Sequence, residues 1–404
     1  MDGTPSLMVQ KRHAQQCRKH LQAQGVLDLR FCMQKHSNGT VTLPIIPSCL
    51  DQLDIQSLQN RVGSTCKIVK IEAPQLSKRE RRTSSSDKLV IFLQDLLESH
   101  GERLTNDLKE DIHHSYQRHG DLVLLGENMF SRPVWKKIGP DLWSTVAQAL
   151  GADRLAKISR ISRDDFRTPR VTMLVGKESW VTHVDNKIRY EFDVTRCMFS
   201  AGNITEKLRV ASFNCSGETV VDLYAGIGYF TLPYLVHART SHVHACEWNP
   251  DAVKSLHRNL EINGVSHRCT VHHGDNRQLL LCDLADRVNL GLIPSAEDGW
   301  PVACRLLRQR TGGMLHIHQN VTTPPQHPVK EKVDIYRDQD EVSPKRNDRE
   351  AWGVWAKDTA ARIASLLQDI NGALWTTDIK HIEHVKSYAP HIHHIVLDLD
   401  CRPV

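Results

Sequence analysis

The chain has 404 residues, 40% hydrophobic and 25% charged, with a formal net charge of +5 from 52 basic and 47 acidic residues. This is ordinary for a soluble protein of two or three domains with a sizeable core, and it allows a nucleic-acid partner without requiring one. No apolar run approaches a membrane span, Met1-Asp2-Gly3-Thr4-Pro5 carries no apolar leader, and the 11 cysteines form no Cys-x-x-Cys pair, so a reduced, cytoplasmic protein away from membranes is expected.

The segment 1–76 holds one hairpin signal, Asn38-Gly39 between extended flanks in His36–Leu43, and is expected to be a small α+β module. Residues 77–88, rich in Ser, Arg and Lys, have the composition of a linker. Strands are predicted at Gly120–Leu125, Val171–Val175, Val181–His183 and Arg189–Val194, and a helix at Leu142–Leu150. They make 89–200 a second α+β domain. In the loop Cys197–Arg209, Asn203 and Glu206 have the spacing of a capping box. From about 216 onward strands alternate with helices, near 220, 243, 269, 287, 314, 380 and 395. Alternation predicts a doubly wound sheet with its ligand at the carboxyl ends of the strands. Residues 322–349 contain Pro324-Pro325, Pro328 and dense mixed charge. They are expected to be a disordered surface insertion before a helix at 352–367.

Chemistry concentrates in Val220-Val221-Asp222-Leu223-Tyr224-Ala225-Gly226-Ile227-Gly228-Tyr229-Phe230-Thr231. A buried strand ends at Asp222, and a Gly-x-Gly turn then brings backbone N–H groups close to a ligand. A dinucleotide site would have a third glycine where Thr231 stands, so a nucleoside without a pyrophosphate is the better fit. Glu247 closes the next strand, about twenty residues beyond Gly228, where a carboxylate can accept both ribose hydroxyls. Asn249-Pro250 caps and starts the following helix. Asp275 and Asn276 close the third strand, where a short polar side chain can read an adenine amino group. Each of these residues alone fits a cap or a surface position; three in this order and spacing describe an adenosyl pocket.

Asp-x-x-x-Gly-x-Gly at a strand end resembles motif I of S-adenosylmethionine-dependent class I methyltransferases. Taken with Cys197–Arg209 and Lys386-Ser387-Tyr388-Ala389-Pro390, it resembles the tRNA wybutosine-synthesising aminocarboxypropyltransferases. These are relatives of the archaeal and eukaryotic tRNA guanosine N1-methyltransferases. The resemblance runs from about residue 110 to the C-terminus. It implies a class I methyltransferase-like, Rossmann-type doubly wound α/β sheet over 201–404, preceded by the smaller α+β domains, the middle one binding or linking to tRNA. It also implies S-adenosylmethionine as donor substrate and tRNA(Phe) as partner. The reaction is transfer of 3-amino-3-carboxypropyl to C7 of 4-demethylwyosine, releasing methylthioadenosine.

Asp222 and Gly226 then belong to the donor's turn, and Glu247, Asp275 and Asn276 to its adenosine end. Ser200 and Lys207 suit its carboxylate-bearing arm, Lys207 by reaching across the pocket mouth. The chain departs from the methyltransferase relatives at Gly202-Asn203-Ile204, which lacks the Arg of their Asn-Arg pair, and at Asn289–Pro294, where Pro falls later than in their Asn-Leu-Pro or Asn-Pro-Pro. No general base is legible. A tRNA methyltransferase and a non-catalytic RNA-binding subunit remain as alternatives, separable by product mass. His316-x-His318 and His391-x-His393-His394 have the alternation of metal ligands but lack carboxylate or cysteine neighbours, so no metal is expected. A monomer is expected.

Overall fold

The computed structural model describes residues 4–36, 39–62, 64–72, 74–112, 116–162, 166, 168–323 and 346–404. Contacts divide the chain into two units: Met1–Ser115 with Asn128–Asp153, and Tyr116–Glu127 with Arg154–Val404. The segment expected as one middle domain, 89–200, is thereby split between them.

In the first unit, β1 (Thr4–Gln10), β2 (Gln34–Lys35), β3 (Thr40–Pro44) and β4 (Lys67–Ile71) form an antiparallel sheet in the order β2-β3-β1-β4. The expected hairpin appears as the pairing of Lys35 with Val41; Ser37 and Asn38 of its turn lie outside the described residues. Helix α1 (Ala14–Ala23) packs on β1 and β3, and α2 (Ile55–Val62) on α1. Leu7, Leu21, Leu43 and Leu58 fill the core between them. Residues 78–88 of the expected linker are helical, forming the first half of helix α3 (Lys78–Ser99). Its Lys, Arg and Glu are good helix formers, and Leu89, Leu93 and Leu97 continue it with a buried stripe. That stripe packs against α6 (Pro140–Leu150). Between them, Asp111 of α4 (Asn106–Ile112) accepts from Ser131 N, Arg132 N and Trp135 Nε1, which fixes the start of α5 (Pro133–Ile138).

The second unit opens with β5 (Tyr116–His119), β6 (Leu122–Leu125), β7 (Arg154–Ile161) and β8 (Pro169–Val175), paired in that order. A hairpin of β9 (Trp180–Asp185) and β10 (Ile188–Asp193) follows. The main sheet comprises β11 (Thr219–Asp222), β12 (His242–Glu247), β13 (Cys269–His273), β14 (Arg287–Leu290), β15 (Gly313–Thr322), β16 (Trp375–Ala389) and β17 (Ile392–Pro403). Its order is β13-β12-β11-β14-β15-β17-β16, parallel up to β15, with β17 antiparallel to β15 and to β16. This is the doubly wound sheet expected, and its last two strands in sequence form an antiparallel pair.

The helices α7 (Ile204–Ala211), α8 (Thr231–Val236), α9 (Pro250–Ile262), α10 (Trp300–Leu306) and α11 (Arg346–Asn371) accompany the sheet. Val220, Val221, Val243, Val288, Leu315 and Ile317 are fully buried, as parallel strands covered on both faces require. Asn249 caps α9 by accepting from Asp251 N at 3.0 Å, with Pro250 in the first turn, as expected. Of the expected insertion, 324–345 lies outside the described residues; α11 begins at Arg346. Strand order reverses between β11 and β14, which opens a crevice at their carboxyl ends. At the opposite margin β16 carries three register shifts against β17, between Ile379 and His381, His384 and Lys386, and Ser387 and Ala389.

Candidate functional site

The turn after β11 places Gly226 at φ 56° and Gly228 at φ 103°, in left-handed backbone. A Cβ on Gly226 would strike the Tyr229 ring, and one on Gly228 would sit 3.0 Å from Leu232 and 3.1 Å from Leu256. Asp222 is fully buried, accepting from Thr231 Oγ1 at 2.8 Å and from Asn289 Nδ2 at 3.0 Å. Burial pushes its pKa up, and those two donors oppose the rise. Its carboxylate is engaged inside the protein and braces the turn from below.

Glu247 meets the turn from the neighbouring strand. Its Oε2 accepts from Gly226 N at 2.7 Å, and its Oε1 from Trp248 N at 3.0 Å and Asn249 N at 2.8 Å. Burial raises its pKa, opposed by the same backbone donors. Asn276 Nδ2 donates to Leu223 O at 2.7 Å, tying the end of β13 to the turn. Asp275 accepts from Arg277 N at 2.9 Å and from its guanidinium at 2.7 Å, and that side-chain bond holds its carboxyl below the usual range. Beside these strand ends opens a cleft of about 460 Å³ lined by Cys246, His272, Gly274, Asn276, Leu279 and Leu281. Polar strand tips beside an apolar wall suit a purine nucleoside.

The loop before α7 is tied to the glycine turn, because Tyr229 Oη donates to Met198 O. Ser200 stands in that loop at the start of a 3-10 turn, and its side chain makes no capping hydrogen bond. Lys207 differs from the expectation of a side chain reaching freely across the pocket mouth. It is 2% exposed, and its Nζ donates to Asp185 Oδ2 at 2.6 Å. The ammonium also lies 4.8 Å from the centre of the Phe199 ring and 5.5 Å from that of Tyr190.

The expected capping box is absent. Asn203 makes no side-chain cap, and Glu206 turns instead to Arg209, at 2.7 Å. Arg209 also donates to Asp398 at 2.5 Å, and Asp398 bonds His316 Nδ1 at 2.7 Å. Burial pushes the Glu206 carboxyl up to about 7. Burial also works to raise Asp398, but His316 and Arg209 hold it well below the usual range. This network joins α7, β15 and β17 and was not read from the sequence. Its one signal was a lone carboxylate, Asp398, between the buried Leu397 and Leu399. Among the described residues no cluster of three metal-ligating side chains occurs. His318 and His394 instead bond each other at 3.0 Å.

The model of the TRM5/TYW2 methyltransferase domain matches residues 181–343, and two models described as TYW2 N-terminal domain match 6–80 and 93–179. A tRNA wybutosine-synthesizing protein 2 homolog from Danio rerio is 61% identical over 409 residues, covering 100% of both chains. The chain belongs to the tRNA wybutosine-synthesizing protein 2 family. A Homo sapiens homolog in this family is 50% identical over 413 residues, covering 96% of this chain and 92% of its own. The solved structure of P. horikoshii TYW2 in complex with MeSAdo aligns with a TM-score of 0.56 at 24% identity, over 76% of this chain and 98% of that one. It shares the fold of the TYW2 family with the chain described here.

Proposed function

We propose that Glu247, Asp275 and Asn276 hold the adenosine of S-adenosylmethionine, and that Ser200 and Lys207 orient its methionine arm toward a tRNA base. As a family member the chain is an S-adenosylmethionine-dependent aminocarboxypropyltransferase of wybutosine biosynthesis. Its acceptor is C7 of 4-demethylwyosine, next to the anticodon of tRNA(Phe) in this reading. The observation that carries the site assignment is the Glu247 carboxylate, held by Gly226 N at a strand tip beside a nucleoside-sized cleft.

When bound, the donor supplies a sulfonium that activates three carbons, and the one presented in line to the nucleophile reacts. The protein therefore selects the product by where it holds the arm. Lys207 has three N–H donors. Asp185 takes one and fixes the side chain, leaving the others for a carboxylate. The bond from C7 to the arm's Cγ forms as the Cγ–S bond breaks. The electron pair stays on sulfur as methylthioadenosine, and the C7 proton passes to water. Asp222 and Gly226 hold the turn beneath the donor.

We place the protein in the cytoplasm as a monomer acting on tRNA(Phe). All eleven cysteines are free, which supports a reducing compartment, and among the described residues no helix is long and apolar enough to cross a membrane. The test is mass analysis of tRNA(Phe), purified from cells lacking this activity, after incubation with the protein and S-adenosylmethionine. Addition of the whole carboxypropyl arm with release of methylthioadenosine is expected. Addition of a methyl group with S-adenosylhomocysteine would overturn the reading.

A further inference from the structure

We propose that the Lys386–Tyr388 end of β16 is the seat of the acceptor RNA, with Lys386 taking a backbone phosphate and Tyr388 stacking on a loop base. The inference deepens the functional reading above and rests on it.

Two of the register shifts on β16 bracket this end, before Lys386 and after Ser387. Bulges of this kind re-aim side chains beside functional sites. Lys386 is aimed at the loop that carries Ser200: a Cβ on Gly202 would collide with Lys386 Nζ. The absence of a side chain at Gly202 admits this ammonium.

Among the described residues Lys386 is a cation without a counter-ion. No carboxylate and no hydrogen-bond acceptor partners it among the described residues, whereas Lys207 has Asp185 and Lys380 has Asp378. Burial is the only cause that moves its pKa, and it moves it down. A half-buried ammonium in that state gains from an arriving oxyanion. Its neighbour is aromatic: Nζ lies 4.4 Å from the centre of the Tyr388 ring. That ring is 45% exposed, and it stacks at 24° on His394, with centroids 6.3 Å apart. Burial, then Lys386, lowers the His394 pKa to about 4. The imidazole is therefore neutral and does not compete for an anion. A cation beside an exposed flat ring is the pairing that holds single-stranded RNA, phosphate on one and base on the other. A small carboxylate would use the cation and leave the ring idle.

The test is fluorescence anisotropy with a labelled anticodon stem-loop RNA across a KCl series, using the whole protein and Lys386→Met, Lys386→Arg and Tyr388→Leu. Lys386→Met should lower the slope of log affinity against log salt by about 0.7–0.9. That corresponds to roughly five- to tenfold weaker binding near 0.1 M salt. Lys386→Arg should restore both. Tyr388→Leu should weaken binding about fivefold or more with the slope unchanged. S-adenosylmethionine affinity by calorimetry should stay within about twofold throughout. Unchanged RNA affinity and slope in Lys386→Met overturns the proposal. So does weaker S-adenosylmethionine binding with methylthioadenosine binding retained, which assigns Lys386 to the donor's carboxylate. Failure of the unaltered protein to bind the RNA would overturn the functional reading instead.

Discussion

Replacing Lys207 by Met separates its two partners, one inside the protein and one arriving with the donor. Asp185 receives the ammonium at 2.6 Å, and the two side chains are 3% and 15% exposed. Methionine fills similar space between Phe199 and Tyr190 but leaves the carboxylate unpaired. Breaking a buried pair from one side costs about 3–5 kcal/mol. Asp185→Asn in the same chain should return much of that, because the stranded charge is gone. Donor binding should respond differently. Loss of one charge-assisted contact costs about 1.5–3 kcal/mol, or roughly 10- to 150-fold in Kd. Only S-adenosylmethionine has a carboxylate to lose it with, so methylthioadenosine should bind as before. Urea titration of the single and double variants gives the first quantity, and calorimetry with both ligands the second. Equal weakening for the two ligands, or none for either, refutes the role at the methionine arm. An unchanged urea midpoint for Lys207→Met refutes the stabilising pair.

Glu247→Ala should weaken S-adenosylmethionine and methylthioadenosine alike, by about 1.5–3 kcal/mol, since both carry the ribose; unchanged calorimetric affinity removes Glu247 from the site. Gly226→Ala must place a Cβ at φ 56° against the Tyr229 ring. It should lower the unfolding free energy read from urea titration by at least about 1 kcal/mol and weaken donor binding with it; a variant matching the parent in both would show that the turn tolerates a side chain. Burial holds His119 and His394 at about 4, below the unfolded value of about 6.5. Below pH 6.5 the unfolded chain takes up protons that the fold refuses, so stability present above 6.5 is lost as pH falls toward 4. At pH 5 the loss should approach about 2 kcal/mol per histidine, and urea midpoints that stay level from pH 7.5 to 5 would contradict it.

The sheet, its glycine turn and the polar residues at its strand ends were legible because their signals are local. Val220–Thr231, Glu247 and Asn249 each declare a strand end, a turn or a cap within a few residues. The surroundings of Lys207 and Arg209 were less so. Lys207, on helix α7, is paired with Asp185 at the end of β9, and Arg209 with Asp398 at the far end of the chain. No spacing rule connects such partners; the fold does. Strands β5 and β7 were missed because Tyr116–His119 is polar and Arg154–Ile161 mixes basic with apolar residues. The helical state of 78–88 was not legible because its composition suits an extended linker equally well. What extends it into a helix is the Leu89, Leu93, Leu97 stripe that follows.

The three register shifts on β16 bear on what the margin of the main sheet can pair with. At fifteen residues β16 is long, and it is the margin of a seven-stranded sheet. A flat margin of that length would offer its free amides and carbonyls to the same strand of a second molecule. Each shift interrupts the regular spacing such a union needs, and Lys380 adds a charge where two copies would meet. Substitutions that straighten β16 should therefore reveal themselves first as turbidity on storage, while the fold of each molecule remains intact.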